Sequence, residues 1–180
     1  MQNANRVDVR WIAFPLHPNT PPEGRTLEDL FAGTQINIPQ MVIRLGQVAA
    51  ELGLPFGTRT MTYNSRLAQE LGKWAEESGQ GAEFHNAVFR AYFAHGKNIA
   101  NRDVLRDIAR SVGLSGTQAL RVIDDRAYRQ AVDADWNRSQ RAHVTSVPTF
   151  MINGNALVGA QPYAALEKFL MAHQTGTHTQ

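Results

Sequence analysis

Cysteine is absent from the 180 residues. Its absence excludes a disulfide framework, a cysteine-ligated zinc or iron–sulfur site, a cysteine nucleophile and thiol redox chemistry by these residues alone. The sequence also lacks the run of roughly 20 apolar residues that a membrane-spanning helix needs. Residues Met1 to Arg10 have no apolar signal-peptide core, so we expect a cytoplasmic protein that does not associate with membranes.

An excess of charge of one sign is missing as well. Eighteen Lys and Arg residues oppose sixteen Asp and Glu residues, which leaves a net charge of +2. No basic run or basic stripe interleaved with aromatic residues is present, so we expect no nucleic-acid partner. The glycine-rich motifs of nucleotide-binding loops and of serine hydrolases are also absent. The hydrophobic content of 43% is typical of a soluble globular protein, and the length suits one domain or one domain with an insertion.

Candidate metal ligands and acid–base pairs are few. The six histidines have no metal-ligand spacing, so we expect no metal and no other cofactor. Asp124-Asp125 and Asp133/Asp135 are close in sequence, but residues one or two apart on a helix point in different directions. Arginines surround both pairs, so we interpret them as solvated ion pairs.

Strand patterns occur near both ends of the chain. Val7 to Phe14 (VDVRWIAF) has apolar residues on both faces at period two, which predicts a strand buried within a sheet. Thr149 to Ile152 and Asn155 to Val158 flank Asn153-Gly154. This dipeptide is the strongest short hairpin signal, because both positions of a type I′ turn need positive φ.

Helical patterns fill the region between the strands. Apolar residues at helical spacing, together with the N-cap candidates Thr26, Ser65, Asn101 and Ser115, predict eight helices in the chain. They span about residues 26–31, 39–52, 65–78, 81–94, 101–112, 115–123, 128–143 and 163–173. A strand that a helical block separates from its sheet partners predicts an α/β sheet interrupted by a helical insertion.

Four segments together resemble the FrnE-like branch of the DsbA family. They are residues 14–24 (FPLHPNTPPEG), 64–71 (NSRLAQEL), 91–114 (AYFAHGKNIANRDVLRDIARSVGL) and 145–162 (TSVPTFMINGNALVGAQP). The resemblance implies an α/β, thioredoxin-like sheet interrupted by an all-helical insertion. It divides the chain into a discontinuous thioredoxin-like domain, residues 1–62 and 140–174, and a helical domain, residues 63–139. Residues 175–180 would form a disordered tail.

The resemblance also implies a binding surface. It implies that the Val147-Pro148 peptide bond is cis. It also implies that Val147, Pro148 and Thr149 lie beside a redox Cys-x-x-Cys and bind an extended peptide or thiol substrate there. It places His17 and His95 in or near loops by the same cleft. The activity implied for the family is thiol–disulfide oxidoreductase or isomerase chemistry.

The sequence departs from this family at one point. Members begin with a strand and a Cys-x-x-Cys helix before the segment that matches Val7 to Phe14, and this first β–α unit is missing here. We therefore expect an incomplete chain, or a homodimer in which a second copy supplies the pairing strand. No catalytic residue can be assigned within the chain.

Three functional interpretations follow from the resemblance. The first is a FrnE-like oxidoreductase or isomerase without its cysteine unit. The second is an enzyme similar to 2-hydroxychromene-2-carboxylate isomerase and kappa-class glutathione transferases, although the Gly-Ala-Gln-Pro turn argues against it. The third is a non-catalytic module that binds a peptide or a partner through the proline loop.

Overall fold

The computed structural model describes residues 7–173 of a mixed α/β protein that is mostly helical. The predicted disordered tail, residues 175–180, lies outside the described residues. The elements in chain order are β1 (Arg25–Thr26), α1 (Leu27–Leu30), α2 (Ile38–Glu51), β2 (Met61–Thr62), α3 (Arg66–Glu77), α4 (Gly81–Phe89), a π-helical turn (Arg90–Ala94), α5 (Arg102–Ser111), α6 (Gly116–Asp124), α7 (Arg129–Arg141), β3 (Thr149–Ile152), β4 (Asn155–Val158) and α8 (Tyr163–His173).

The chain divides into two compact units. The larger unit is continuous and comprises His17–Asp133, whereas the smaller unit combines Met1–Leu16 with Ala134–Gln180. The division into residues 1–62 with 140–174 and 63–139, which the resemblance implies, stays a prediction.

The larger unit has a helical core. Leu71, Phe84 and Leu105, from α3, α4 and α5, are fully buried, as the apolar spacing of these helices predicts. Burial of a large apolar side chain contributes about 1.5–3 kcal/mol, so this cluster is the main source of stability in the unit. Its buried members are Ala68, Leu71, Trp74, Ala75, Phe84, Val88, Ala91, Ile99, Leu105, Ile108, Ala109, Ala119 and Ile123.

Three helices of the larger unit begin at the capping residues that the sequence predicts. The side chains of Thr26, Asn101 and Ser115 accept hydrogen bonds from backbone N–H groups in the first turns of α1, α5 and α6. Each bond satisfies a donor that has no partner within its helix. Ser65 precedes α3 as predicted, but its side chain makes no capping hydrogen bond.

The smaller unit contains the predicted hairpin. β3 and β4 pair antiparallel with Thr149 opposite Val158 and Ile152 opposite Asn155. Asn153 and Gly154 have φ values of 49° and 82°, which confirms the predicted turn with positive φ at both positions. The last helix, α8, has the bounds that the sequence predicts.

The predicted buried strand over Val7 to Phe14 is wrong. No strand is assigned there, and Val9 and Trp11 are 73% and 47% exposed. The backbone of Ala13 instead bonds to α7: its N–H donates to Asp135 Oδ2 at 3.0 Å, and its carbonyl accepts from Ser139 Oγ at 3.4 Å. Alternating apolar residues predicted a strand, but a strand also needs a neighbouring strand, and residues 7–173 supply none for this segment.

Helix α2 is amphipathic but not buried. Its bounds agree with the predicted helix, and Asn37 caps it ahead of Pro39. The apolar positions Leu45 and Val48 are nevertheless 43% and 45% exposed, and Leu52, just after the helix, is 67% exposed. Apolar spacing correctly identifies the helix, but it does not show that the apolar face is covered.

Candidate functional site

The predicted substrate-binding residues lie just before the hairpin. The Val147-Pro148 peptide bond is cis, and Val147 is 45% exposed. Thr149 Oγ1 donates to the Ser146 carbonyl at 2.7 Å, and the Gly159 N–H donates to the Pro148 carbonyl at 2.8 Å. These two hydrogen bonds fix the loop on the end of the hairpin while Val147 and Pro148 remain exposed.

Beyond this loop, one edge of β3 is open. Within residues 7–173, β3 pairs with β4 alone. In an antiparallel pair of strands, hydrogen-bonded residue pairs alternate with pairs that are not hydrogen-bonded to each other. The bond between Gly159 and Pro148 identifies that pair as a hydrogen-bonded one, so the next pair, Thr149 with Val158, is not. Thr149 and Met151 therefore direct their backbone N–H and C=O groups away from β4. Such an edge can accept an added extended strand.

His17 and His95, predicted near the same cleft, belong to the larger unit, whereas the proline loop belongs to the smaller unit. Both histidines are exposed. Neighbouring protein atoms shield the His17 imidazole partly from water and thereby lower its pKa, and the positive charges of Arg25 and Arg59 lower it further. His95 directly precedes Gly96, which lines a small cavity beside Arg59. Their role in substrate binding stays a prediction.

The Arg59 side chain lies in a tightly built part of the larger unit. The Gly57 N–H donates to the Phe93 carbonyl in the π-helical turn at 2.9 Å, and the Thr60 carbonyl accepts from the Leu27 N–H at 2.9 Å. A Cβ atom at Gly57 would collide with the Ala94 carbonyl oxygen. Glycine is required here because the two backbones approach so closely.

The sequence did not indicate this region. Arg59 stands alone between two threonines, and Tyr92 lies within the helix predicted over residues 81–94. The two are 33 positions apart, and the π-helical turn that carries Tyr92 breaks the helical periodicity on which the prediction relied. Met151 was missed for another reason, since its contribution comes from backbone groups that any residue provides.

Two of the acidic residues noted in the sequence, Asp124 and Asp133, form ion pairs. Asp124 Oδ2 accepts from Arg102 Nη2 and Asp133 Oδ1 accepts from Arg66 Nη2, each at 2.6 Å. The interpretation of Asp135 as solvated is wrong, because it is 4% exposed and binds the Ala13 N–H. The part of the chain that the structure describes contains no group of three or more histidine, aspartate or glutamate residues able to hold a metal. No helix within it is long and apolar enough to span a bilayer.

Two comparisons with known proteins cover most of the chain. The DSBA-like thioredoxin domain matches residues 1–171. Protein YwbO of Bacillus subtilis is 30% identical over 174 residues, which cover 93% of this chain and 83% of YwbO.

Two solved structures share the fold. The crystal structure of a probable DsbA oxidoreductase from Streptomyces coelicolor has a TM-score of 0.81 at 24% identity, over 92% of this chain and 76% of that one. A 2-hydroxychromene-2-carboxylate isomerase has a TM-score of 0.66 at 18% identity, over 75% of this chain and 66% of that one. The fold is thus thioredoxin-like with mostly helical content, and the chain belongs to the DSBA-like thioredoxin domain family.

Proposed function

We propose that this protein is a DsbA-family relative that binds an extended peptide along the open edge of β3. Val147, Pro148 and Thr149 would contact the peptide at one end of that edge. The observation that carries the proposal is the pair of outward-facing backbone sites at Thr149 and Met151, adjacent to the exposed proline loop. Main-chain hydrogen bonds to an edge strand supply affinity with little dependence on peptide sequence.

Only part of the family's chemistry is assigned to this chain. The lineage is one of thiol–disulfide oxidoreductases and isomerases, but these residues contain no cysteine. We therefore assign peptide binding to this chain and leave thiol exchange to a cysteine supplied by another segment or molecule. Reduction of insulin disulfides in the presence of this 180-residue chain should not exceed the uncatalysed rate, and clear turnover would contradict this assignment.

Three finer points belong to the same proposal. The Gly-Ala-Gln-Pro turn, residues 159–162, supports membership of the FrnE-like branch. The open β3 edge supports the expectation that a further β–α unit completes the sheet, as does the lack of an assigned strand over Val7–Phe14 in the described residues. A cytoplasmic location is also proposed, and cell fractionation tests it. The isomerase and glutathione-transferase interpretation rests on the shared fold alone.

Fluorescence anisotropy with a labelled peptide tests the binding proposal. A suitable peptide is an octapeptide that alternates valine and threonine between terminal lysines. Methylation of alternate backbone nitrogens removes the donors that would face β3. Two lost hydrogen bonds at about 1 kcal/mol each weaken binding roughly tenfold or more.

Two matched proline variants identify the edge. Met151→Pro removes a donor on the open side of β3, whereas Ala156→Pro changes the residue paired with it on β4. We expect Met151→Pro, which removes one hydrogen bond of about 1 kcal/mol, to weaken binding roughly fivefold, and Ala156→Pro to leave it unchanged. Equal effects of the two variants, or equal binding of the methylated peptide by the unaltered protein, would contradict the proposal.

A second copy of the chain is the other candidate occupant of this edge. Light scattering after size exclusion measures the oligomeric state across protein concentrations. A dimer that Met151→Pro dissociates would assign the β3 edge to self-association and overturn the peptide proposal. A monomer at all concentrations supports it.

A further inference from the structure

A cavity of about 100 Å³ lies in the larger unit, and none of its lining residues is assigned above to peptide binding. Its lining contains one cationic group, several hydroxyl groups and no carboxylate. The lining residues are Thr58, Arg59, Thr60, Met61, Tyr63, Tyr92 and Gly96. The volume corresponds to about three water molecules in the liquid, which is sufficient for a carboxylate with two or three attached carbon atoms.

Aromatic rings hold the guanidinium of Arg59. Its central carbon lies 4.6 Å from the centroid of the Tyr92 ring and 5.2 Å from that of Phe93. Nη2 donates to the Tyr92 hydroxyl, which shares a second hydrogen bond of 3.0 Å with Thr62 Oγ1. The side chain is therefore fixed in one position, and its orientation does not depend on a ligand.

The charge of Arg59 is not compensated. Among residues 7–173 no carboxylate forms an ion pair with it, and its buried Nε has no hydrogen-bond acceptor. A polar group removed from water without a partner costs about 1–3 kcal/mol, and more when it is charged. An anion in the adjacent cavity would offset this cost.

The surroundings of Arg59 are also positive. The charges of Arg25 and Arg59 lower the pKa of the His17 imidazole, in addition to the effect of burial. Arg25 likewise forms no ion pair with a carboxylate among residues 7–173, and its Nη2 donates to the Asn19 carbonyl. Two uncompensated arginines in one region favour a negatively charged ligand.

We propose that this cavity binds a carboxylate group through the Arg59 guanidinium and the lining hydroxyl groups. Guanidinium and carboxylate are both planar, and their paired hydrogen bonds are among the strongest that side chains form. The carboxylate belongs either to a small organic acid or to a peptide terminus, and the two sources share the same recognition chemistry. This site does not depend on the peptide-binding edge of β3.

Calorimetric titration at constant ionic strength tests the proposal with butyrate and its neutral analogue butyramide. We expect butyrate to bind saturably and at least tenfold more tightly than butyramide. A tripeptide with a free carboxyl terminus and the same tripeptide as its amide form the second arm. Whichever acid binds more tightly identifies the source of the carboxylate.

Two variants with the same change in net charge locate the site. Arg59→Gln should weaken butyrate binding at least tenfold, and Arg121→Gln, at an exposed position of α6, should leave it unchanged. Thermal unfolding verifies that each variant is folded, and Arg59→Lys keeps the charge if Arg59→Gln does not fold. Arg59→Lys should bind butyrate more weakly than the unaltered protein does, because an ammonium group cannot form the paired hydrogen bonds of a guanidinium group.

Three results would overturn the proposal. Equal affinities for butyrate and butyramide would show that charge is not recognised. Equal losses in Arg59→Gln and Arg121→Gln would show only a dependence on net charge. Tighter binding of inorganic phosphate than of either carboxylate would assign the cavity to a different anion.

Discussion

Arg126 donates two hydrogen bonds to the carboxylate of Glu70, from Nε to Oε2 at 2.8 Å and from Nη2 to Oε1 at 2.7 Å. Arg66 Nε donates to the same Oε1 at 2.6 Å, and only 2% of the Glu70 side chain is exposed. The carboxylate thereby joins α3 to the loop after α6. A buried carboxylate with two guanidinium partners is typical of a structural ion-pair network.

Glu70→Gln is expected to lower the free energy of unfolding by roughly 2–3 kcal/mol, because Arg126 loses its charged hydrogen-bond partner and Arg66 loses one of its charged partners while keeping Asp133. Arg126 is partly exposed, which keeps the loss below that of a fully buried pair. Urea denaturation measures the change. The control is Glu167→Gln, at an exposed position of α8. Like most surface substitutions, it should change the free energy of unfolding by less than about 0.5 kcal/mol.

The same ion pair predicts a dependence of stability on pH. Burial alone would raise the pKa of the Glu70 carboxyl, but hydrogen bonds from Arg126 and Arg66 outweigh burial and lower it from 4.5. A pKa lowered in the folded state stabilises the protein above the unfolded-state pKa, and that stabilisation is lost as pH falls below it. The stability difference between the unaltered protein and Glu70→Gln should be constant above about pH 6, roughly 1.5 units above the ordinary pKa of 4.5, and should shrink in acid. A difference that stays constant on acidification would contradict the assignment.

Arg126 also occupies an unusual backbone position. Its φ is 51°, and it ends α6 in a pattern where the Arg126 N–H donates to Ile123 and the Ala127 N–H donates to Val122. Glycine is the usual residue at such a helix end. Arg126→Ala and Arg126→Gly both remove the ion pair, but only glycine relieves the left-handed conformation. We expect the glycine variant to be more stable than the alanine variant by about 1 kcal/mol.

A position inside α6 provides the control for this comparison. At Arg121 the backbone is helical, so Arg121→Gly should be less stable than Arg121→Ala by about 1 kcal/mol, the reverse order. Chemical denaturation of the four variants measures both differences. The same order at the two positions would show that left-handed geometry does not determine stability at Arg126.

Gly57→Ala should destabilise the protein and disturb the cavity beside Arg59, because the added Cβ would collide with the Ala94 carbonyl. Overpacking of this kind costs about 1–3 kcal/mol. Gly46→Ala, in α2, is the matched control: its Cβ would lie 3.7 Å from Phe56, and alanine favours a helix by about 0.5–1 kcal/mol. The two variants should therefore change the melting temperature in opposite directions. A stabilised Gly57→Ala variant would contradict the close approach.

Local signals in the sequence were sufficient for much of the fold. The hairpin at Asn153-Gly154 and the caps at Asn101 and Ser115 depend on a few neighbouring residues, and all three agree with the structure. The resemblance to the DsbA family agrees with the family match over residues 1–171. These features were predictable because the chemistry that determines them is local or occurs in an ordered run of residues.

Features that depend on distant partners were not predictable in the same way. Val7 to Phe14 has strand periodicity, yet periodicity does not reveal whether a neighbouring strand exists. The sequence predicts that Asp135 is a solvated surface residue, but its carboxylate accepts a hydrogen bond from the Ala13 N–H, 122 positions away in sequence. The cavity beside Arg59 depends on a close backbone approach and on a π-helical turn, neither of which composition or spacing indicates.

The π-helical turn, Arg90–Ala94, affects how this chain should be aligned with its relatives. A π-helical turn accommodates a residue more than the regular helix around it, so relatives that lack the turn will be shorter by one position here. An alignment that places this one-residue gap at the wrong position pairs Tyr92 with a residue of the relative that does not occupy the same place in the fold. Evolutionary comparisons of this region should therefore fix the register on Gly57 and Phe93, whose backbones are in contact.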